Sequence, residues 1–463
     1  MTDNEDIEIL REDIREITSN IILLFGQRQA KSKIIGEMKK LRGMNIWDPD
    51  VESDLRNNII HECKKSRISV EDGLKLLNIL VESSRQIQGI ESLDKEMMHE
   101  NIFVKARNMD RQGSEIIHLE IGEPDFDPPK IVFSEINKSL KSGRQRYVEA
   151  GGIPELREKI ATEHNQKYKS NINSKNVIVT PGGRFAVFLA LKSIIKPGNE
   201  VIIPEPTWPG YHDITKAIGG EPRKIHTTLD QGWSVPLDEL EDNIKQSNSV
   251  VILNNPSNPT GKILEVKKMK EIVTMMTNRN GILLCDEVYE DYAFKPFTSI
   301  LQMQDCKYVK ISSFSKSYAM TGFRVGYAIA DEELIRKMIT IQSNIITSIP
   351  EFIQHGAIGA INSNNYVKIN AAKIKERIGV ADKALRNLPV SYKIPDGGLY
   401  IFMKVLKDGF NGYKFTLDLL ENKHVALAPG SIFGDYPDFL RISLCSENKE
   451  ILDGIENMSE FIS

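Results

Sequence analysis

Cysteine is scarce in this chain of 463 residues, where Cys63, Cys285, Cys306 and Cys445 are the full complement. Their spacing matches neither a metal-ligand pair nor a dense disulfide framework, so a reducing compartment is expected and no metal site is implied. No apolar run approaches the ~18 residues of a membrane-spanning helix, and the acidic N-terminus lacks the apolar core of a signal peptide. Excess positive charge is missing too. Against 64 Asp and Glu stand 60 Lys and Arg, a formal net charge of −4, which leaves no basic footprint for nucleic acid and no polybasic membrane patch. Internal repeats, low-complexity tracts and charge blocks are likewise absent. These absences point to a cytoplasmic protein that acts on small molecules.

What is present is ordinary globular composition, 40% hydrophobic and 27% charged, in a chain long enough for two or three domains. The first ninety residues read as a separate helical unit. Ile7, Leu10, Ile14, Ile17, Ile21 and Leu24 alternate spacings of three and four, one stripe of a helix. The stripe then lands on Arg28, where an apolar residue was due, and Lys39 lies three helical turns further on. Gly43 marks a stop, and Asp48-Pro49 restarts a helix with a cap and a proline at its first position. Val51, Leu55, Ile59 and Cys63 give that second helix its inner face, with Glu52 one turn from Asp48. A third helix starts at Ser69 and carries Leu74, Leu77 and Val81 into Ser84 and Gln88. Arg28, Ser84 and Gln88 thus occupy positions the pattern reserves for core. A buried unpaired charge costs several kcal/mol, and a pocket for an anion accounts for it.

The larger region alternates apolar strands with helices. Tyr308–Ile311 runs into Ser312-Ser313-Phe314-Ser315-Lys316, followed by Arg324. A lysine attacks a carbonyl only as the free amine, and burial or a neighbouring cation lowers its pKa toward that state. Ser313 and Ser315 are hydroxyls of the kind that bind phosphate oxygens, and Arg324 is suited to grip an anion. Strand ends recur upstream. Gly281–Cys285 leads into Asp286-Glu287-Val288-Tyr289, and Ser249–Leu253 into Asn254-Asn255-Pro256-Ser257-Asn258. Asn176–Thr180 leads into Pro181-Gly182-Gly183-Arg184, a glycine turn before a helix beginning at Phe185, which would expose backbone N–H groups as a phosphate cradle. Glu200–Ile203 precedes Trp208, and Phe439–Ser443 sets Arg441 within an apolar strand.

On these motifs, residues 101–463 resemble a class I aminotransferase of the pyridoxal-phosphate fold-type I superfamily, an α/β fold with large and small domains. The resemblance implies that Lys316 joins the cofactor carbonyl, and that Trp208 stacks on the pyridine ring. Asn258 and Tyr289 would bond its phenolic oxygen, and Asp286 would pair with its protonated nitrogen. Gly183, Arg184, Ser313, Ser315 and Arg324 would surround the phosphate, with Tyr147 crossing from a second subunit. The opening Gly122-Glu123-Pro124-Asp125-Phe126 would line the substrate site, and Arg441 would hold the α-carboxylate.

Residues 1–90 are similar to an AroQ-type chorismate mutase, an all-α, three-helix chain that dimerises into a bundle. That likeness implies active-site roles for Arg11, Arg28, Lys39, Asp48, Glu52, Ser84 and Gln88. Arg28, with Arg11 of the partner chain, would hold two carboxylates. Lys39 and Gln88 would donate to the ether oxygen, and Asp48 and Glu52 would meet the hydroxyl. One departure stands out: the position before Glu52 is commonly arginine in that family and is Val51 here. Residues 91–100 connect the two units.

The expected activity is rearrangement of chorismate to prephenate, with amino transfer between an amino acid and prephenate or an aromatic 2-oxo acid. An aspartate-type aminotransferase, or a lyase, carrying a regulatory mutase-like domain is the alternative. A transcription regulator is disfavoured by the 14 Lys and Arg against 16 Asp and Glu in residues 1–90. Both families build sites across a twofold axis, so a homodimer or closed tetramer is expected.

Overall fold

A 39-residue helix, α1 (Asp3–Leu41), spans about 58 Å at the ordinary helical rise. The two helices that follow, α2 (Pro49–Lys65) and α3 (Val70–Ile87), are less than half as long. The computed structural model describes residues 3–41, 49–66, 68–87, 101–244, 249–303, 306–363 and 365–462. It divides into two compact units, Met1–Val104 and Lys105–Ser463.

In the first unit α1 and α2 both pack on α3. Leu77, Cys63 and Ser84 are buried there, and Gly73 brings α2 and α3 so close that a Cβ would overlap the Cys63 sulfur. The C-terminal half of α1 meets α3 through polar groups: Gln29 Nε2 donates to Ser83 Oγ at 2.8 Å, and Ser32 Oγ to Ser84 Oγ at 3.0 Å. The length mismatch has a consequence. The stripe Leu10, Ile14, Ile17, Ile21 and Leu24 lies 51–62% exposed, because among the described residues the N-terminal half of α1 outruns the helices of its own unit. The side chain of Ile7 lies outside the described residues, as does the 91–100 connector.

In the second unit β1 (Ile117–His118) is a two-residue strand. A large sheet follows, built from β2 (Val177–Thr180), β3 (Glu200–Glu205), β4 (Glu221–His226), β5 (Val250–Asn254), β6 (Ile282–Asp286), β7 (Lys307–Ser313) and β8 (Gly326–Ala330). Its order is β2-β8-β7-β6-β5-β3-β4, and only β8 runs antiparallel to its neighbours. Near-continuous apolar runs such as Val250-Val251-Ile252-Leu253 suit a sheet covered on both faces. One face packs Val201, Ile203, Ile252 and Leu284 with helices 183–194 and 332–346. The other packs Ile202, Val251, Leu253 and Leu283 with helix 266–278.

A smaller antiparallel sheet comprises β9 (Val390–Tyr392), β10 (Tyr400–Val405), β12 (Ala428–Pro429) and β13 (Phe439–Ser443), while β11 (Val425–Ala426) pairs with β1. Helices 366–385 and 448–462 cover it through Ile374, Ile378, Leu385, Ile451 and Met458. No helix among the described residues is long and apolar enough to cross a membrane.

The core of the large sheet holds a charge cluster. Lys310, in the middle of β7, is fully buried and pairs with Glu287 and, at 2.7 Å, with Glu290. Burial pulls the ammonium's pKa down, but the two carboxylates outweigh it and hold the group above its ordinary value. Glu287 also accepts from Ser299 Oγ at 2.6 Å and the Ile300 N–H at 2.8 Å, and Glu290 accepts from the Tyr168 hydroxyl. Removing one partner of such a cluster strands a buried charge, at about 3–5 kcal/mol. Lys310→Met is therefore expected to lower the stability of the Lys105–Ser463 unit by that amount in equilibrium urea unfolding. A variant as stable as the parent would show that Lys310 does not hold the two carboxylates ionised.

Candidate active site

The C-terminal ends of the parallel strands converge on one crevice, the location at which open α/β sheets bind ligands. Asp286 ends β6 and is buried. Its Oδ2 accepts from the Tyr211 hydroxyl at 2.7 Å and its Oδ1 from the Val288 N–H at 3.2 Å. Burial pushes the carboxyl up to about 6, against the two hydrogen bonds. Trp208, in the turn after β3, meets Tyr211 edge to face at 5.1 Å, and the exposed Arg184 guanidinium lies 4.9 Å from the Trp208 ring.

Lys316 lies on the single helical turn Phe314–Ser317 that follows β7. Ser313 is its N-cap, accepting from the Ser315 N–H at 3.3 Å. Lys316 Nζ donates to the Gly122 carbonyl, and the Lys316 carbonyl accepts from the Tyr292 hydroxyl at 2.9 Å. The first segment of the unit is thereby brought against the lysine.

Beside it, helix Gly183–Ile194 begins two residues earlier than the expected Phe185. Gly182 caps it at φ 84°, a left-handed conformation that favours glycine. A Cβ on Gly182 would come within 2.6 Å of Arg324 Nη2, and one on Gly326 within 2.7 Å of the Gly182-Gly183 backbone. Arg324 donates to the Thr321 carbonyl at 2.8 Å. A guanidinium beside exposed helix-start N–H groups is an anion cradle.

The opposite wall centres on Arg441 of β13, which is buried. Nη1 donates to Asn258 Oδ1 at 2.9 Å, and Nη2 to the Glu120 carbonyl. Its guanidinium sits between the Tyr400 and Phe433 rings at 4.1 and 4.7 Å. Nε is buried with no hydrogen-bond partner among the described residues. Asn258 is thus held at both ends, Oδ1 by Arg441 and its backbone N–H by Asn254 Oδ1 at 2.6 Å. Tyr289 is buried, its hydroxyl 3.0 Å from that of Tyr400.

These groups fit pyridoxal phosphate. An anion cradle, a lysine, a buried carboxylate that contacts a phenol and an N–H rather than a cation, and a guanidinium with a spare donor match its phosphate, carbonyl, ring nitrogen and an amino-acid carboxylate. Lys316, Asp286, Asn258, Tyr289, Arg324, Gly183, Ser313, Ser315 and Arg441 come together here. Tyr147 instead stands 84% exposed on the loop before Gly151. Tyr211 and Tyr400 escaped the sequence reading; the Trp208-to-Tyr211 spacing of three was the available signal for the first.

In the helical unit, Arg28 Nη1 donates to Ser84 Oγ and to the Leu80 carbonyl, and partial burial lowers its pKa. Lys39 is half-buried and Arg11 exposed. Asp48 and Gln88 lie outside the described residues, as do the side chains of Glu52 and Val51.

The Asp286 shift has a defined sign. A carboxyl raised in the folded chain binds its proton more tightly there than when unfolded, so its contribution to stability is full below the unfolded value. It is lost as pH rises through about 6. For the chain freed of cofactor, unfolding at pH 4 and pH 7 should show Asp286→Asn gaining about 2 kcal/mol relative to the parent at the higher pH. Equal pH dependence of the two proteins would remove the shift.

Residues 114–456 match the family model described as aminotransferase class I and II, and residues 10–89 match chorismate mutase type II. The chain is 34% identical over 371 residues to the aspartate aminotransferase of Sulfolobus acidocaldarius, covering 77% of this chain and 93% of that protein. It is 29% identical to a probable aspartate/prephenate aminotransferase of Aquifex aeolicus, covering 78% and 94%. The crystal structure of aspartate aminotransferase from Thermotoga maritima superposes with a TM-score of 0.74 at 32% identity, covering 79% of this chain and 96% of that one. The chain belongs to the class I and II aminotransferases, pyridoxal-phosphate transferases of fold type I, and carries a chorismate mutase type II domain with isomerase activity ahead of the aminotransferase fold.

Proposed function

We propose that this protein rearranges chorismate to prephenate in its first unit and, in its second, transfers an amino group to prephenate or an aromatic 2-oxo acid. The observation that carries the reading is the presence of both family units in one chain, so that one would make what the other consumes. The relative named for aspartate and prephenate supports it; Arg184, an exposed cation over Trp208, would meet either the cofactor phosphate or a second carboxylate on the substrate. Aspartate or glutamate would be the amino donor. The division at 1–90, 91–100 and 101–463 is part of this proposal.

Bound pyridoxal phosphate supplies an electron sink for the bonds at the amino acid's α-carbon. Asp286 keeps the cofactor's ring nitrogen protonated. Asn258 and Tyr289 hold the ring oxygen, and Trp208 covers the ring face. Gly183, Ser313, Ser315 and Arg324 bind the phosphate, with Tyr147 reaching in from a second subunit. Arg441 takes the α-carboxylate beside Gly122, using the fork that suits a carboxylate. Lys316 Nζ then carries the proton off the α-carbon.

The mutase reaction needs no general base. Its rate would come from holding a reactive conformer and stabilising charge at the breaking bond. Arg28 and Ser84 bind a carboxylate, joined by Arg11 of a second chain. Lys39 and Gln88 donate to the ether oxygen, and Asp48 and Glu52 meet the hydroxyl. The exposed stripe from Leu10 to Leu24 supports a partner along α1, and thus a dimer or closed tetramer.

The purified full chain should consume chorismate and form an amino-acid product from an amino donor and a 2-oxo acid. Lys316→Ala should abolish amino transfer and leave chorismate consumption near the parent rate. Arg28→Ala should do the converse, lowering the mutase kcat/KM by about ten-fold or more, as loss of a charge-assisted contact of about 1.5–3 kcal/mol implies. Both activities falling together in folded variants would contradict separate sites. Light scattering over a dilution series should show no active monomer. A monomer that kept both activities would overturn the cross-chain roles of Arg11 and Tyr147.

A further inference from the structure

Tyr400 lies at the centre of the aminotransferase site and has no role in the reading above. Its hydroxyl is 3.0 Å from that of Tyr289, with both residues buried, and the two rings meet edge to face at 5.8 Å. The pairing Tyr400↔Ser443 and Phe402↔Arg441 makes Arg441 the diagonal neighbour of Tyr400 across β10 and β13, its guanidinium 4.1 Å from the ring. Gly122 packs on the hydroxyl so closely that any Cβ there would overlap it. The same Gly122 offers its carbonyl to Lys316. Ring and hydroxyl are therefore fixed from three sides.

A phenol has one proton to donate. Two phenols in contact use one of the two protons between them, and either can be the donor in that bond. If Tyr289 spends its proton on the cofactor's ring oxygen, the bond between the phenols must run from Tyr400 to Tyr289. We propose that Tyr400 is a positioning residue for Tyr289: its hydroxyl donates to the Tyr289 oxygen and so directs the Tyr289 proton at the cofactor's ring oxygen. The inference rests on Tyr289 facing that oxygen. Serial O–H bonds polarise one another, which makes Tyr289 the stronger donor. Burial holds the Tyr289 phenol well above its ordinary pKa, so that its proton stays on, and a bond received from Tyr400 acts against that rise and sharpens Tyr289 as a donor.

Tyr400→Phe keeps the ring that Arg441 stacks on and deletes only the hydroxyl. The readout is the pH midpoint of the bound cofactor's visible absorption in the full-length, loaded protein. Weakening the donor leaves the ring oxygen more basic and moves that midpoint upward. Tyr289→Phe should shift it by about one unit, and Tyr400→Phe by about half a unit, since the second acts through the first. In the Tyr289→Phe background, Tyr400→Phe should add no shift. Steady-state kinetics of Tyr400→Phe should show kcat down by about three- to ten-fold, with the amino donor's KM within about two-fold. A shift in Tyr289→Phe with none in Tyr400→Phe would overturn the inference, as would equal Tyr400→Phe shifts in both backgrounds. No shift in Tyr289→Phe itself would remove the assignment of Tyr289, and the inference with it.

Discussion

One ammonium beneath the crevice fixes the geometry of everything above it. Lys310 of β7 binds Glu287 and Glu290, and these two glutamates bracket the functional loop: Glu287 follows Asp286, and Glu290 follows Tyr289. Three residues after Lys310 the same strand ends at Ser313, and Lys316 lies on the turn beyond. The cluster therefore clamps the β6 loop, with its carboxylate and phenol, to the β7 end, with its lysine. In a low-dielectric interior such a cluster tolerates little displacement, because each charge is solvated only by the others. Precision at the site is inherited from a polar core that never touches substrate.

Much of this was legible in the sequence, and what escaped has a physical reason. The strand ends carrying Asn258, Asp286 and Lys316 read correctly because local composition governs them: an apolar run buries the strand, and polar residues must begin where the sheet ends. Residue-to-residue contacts over long separations do not leave such a mark. Lys310 sits in Tyr308-Val309-Lys310-Ile311, where a single cation gives no hint of burial. Its partners lie 23 and 20 residues upstream and meet it only because β6 and β7 are parallel neighbours. Tyr400 touches Tyr289 across 111 residues, and Arg441 reaches Asn258 across 183. The stripe on α1 shows the complementary failure. Its periodicity announced an apolar face, but periodicity does not say which molecule covers that face, and among the described residues of its own unit nothing covers Leu10 to Leu24.

The two units handle charge in opposite ways, and their chemistry explains why. A pericyclic rearrangement moves no proton to or from the protein, so the groups proposed for its site need only keep a fixed charge. A guanidinium supplies one: Arg28 stays cationic even when partial burial lowers its pKa. Amino transfer moves protons at every stage, so its groups must be adjustable. The same exclusion of water brings Asp286 up to about 6 and keeps Tyr289 a protonated phenol. It also leaves Arg441 with a buried N–H that nothing among the described residues accepts. Each is costly to bury alone. In the proposed roles each would be relieved by a complementary group, a ring nitrogen for Asp286 and a carboxylate for Arg441. The free energy withheld from the fold at these positions would then be returned on binding, which would couple the stability of the crevice to its occupancy.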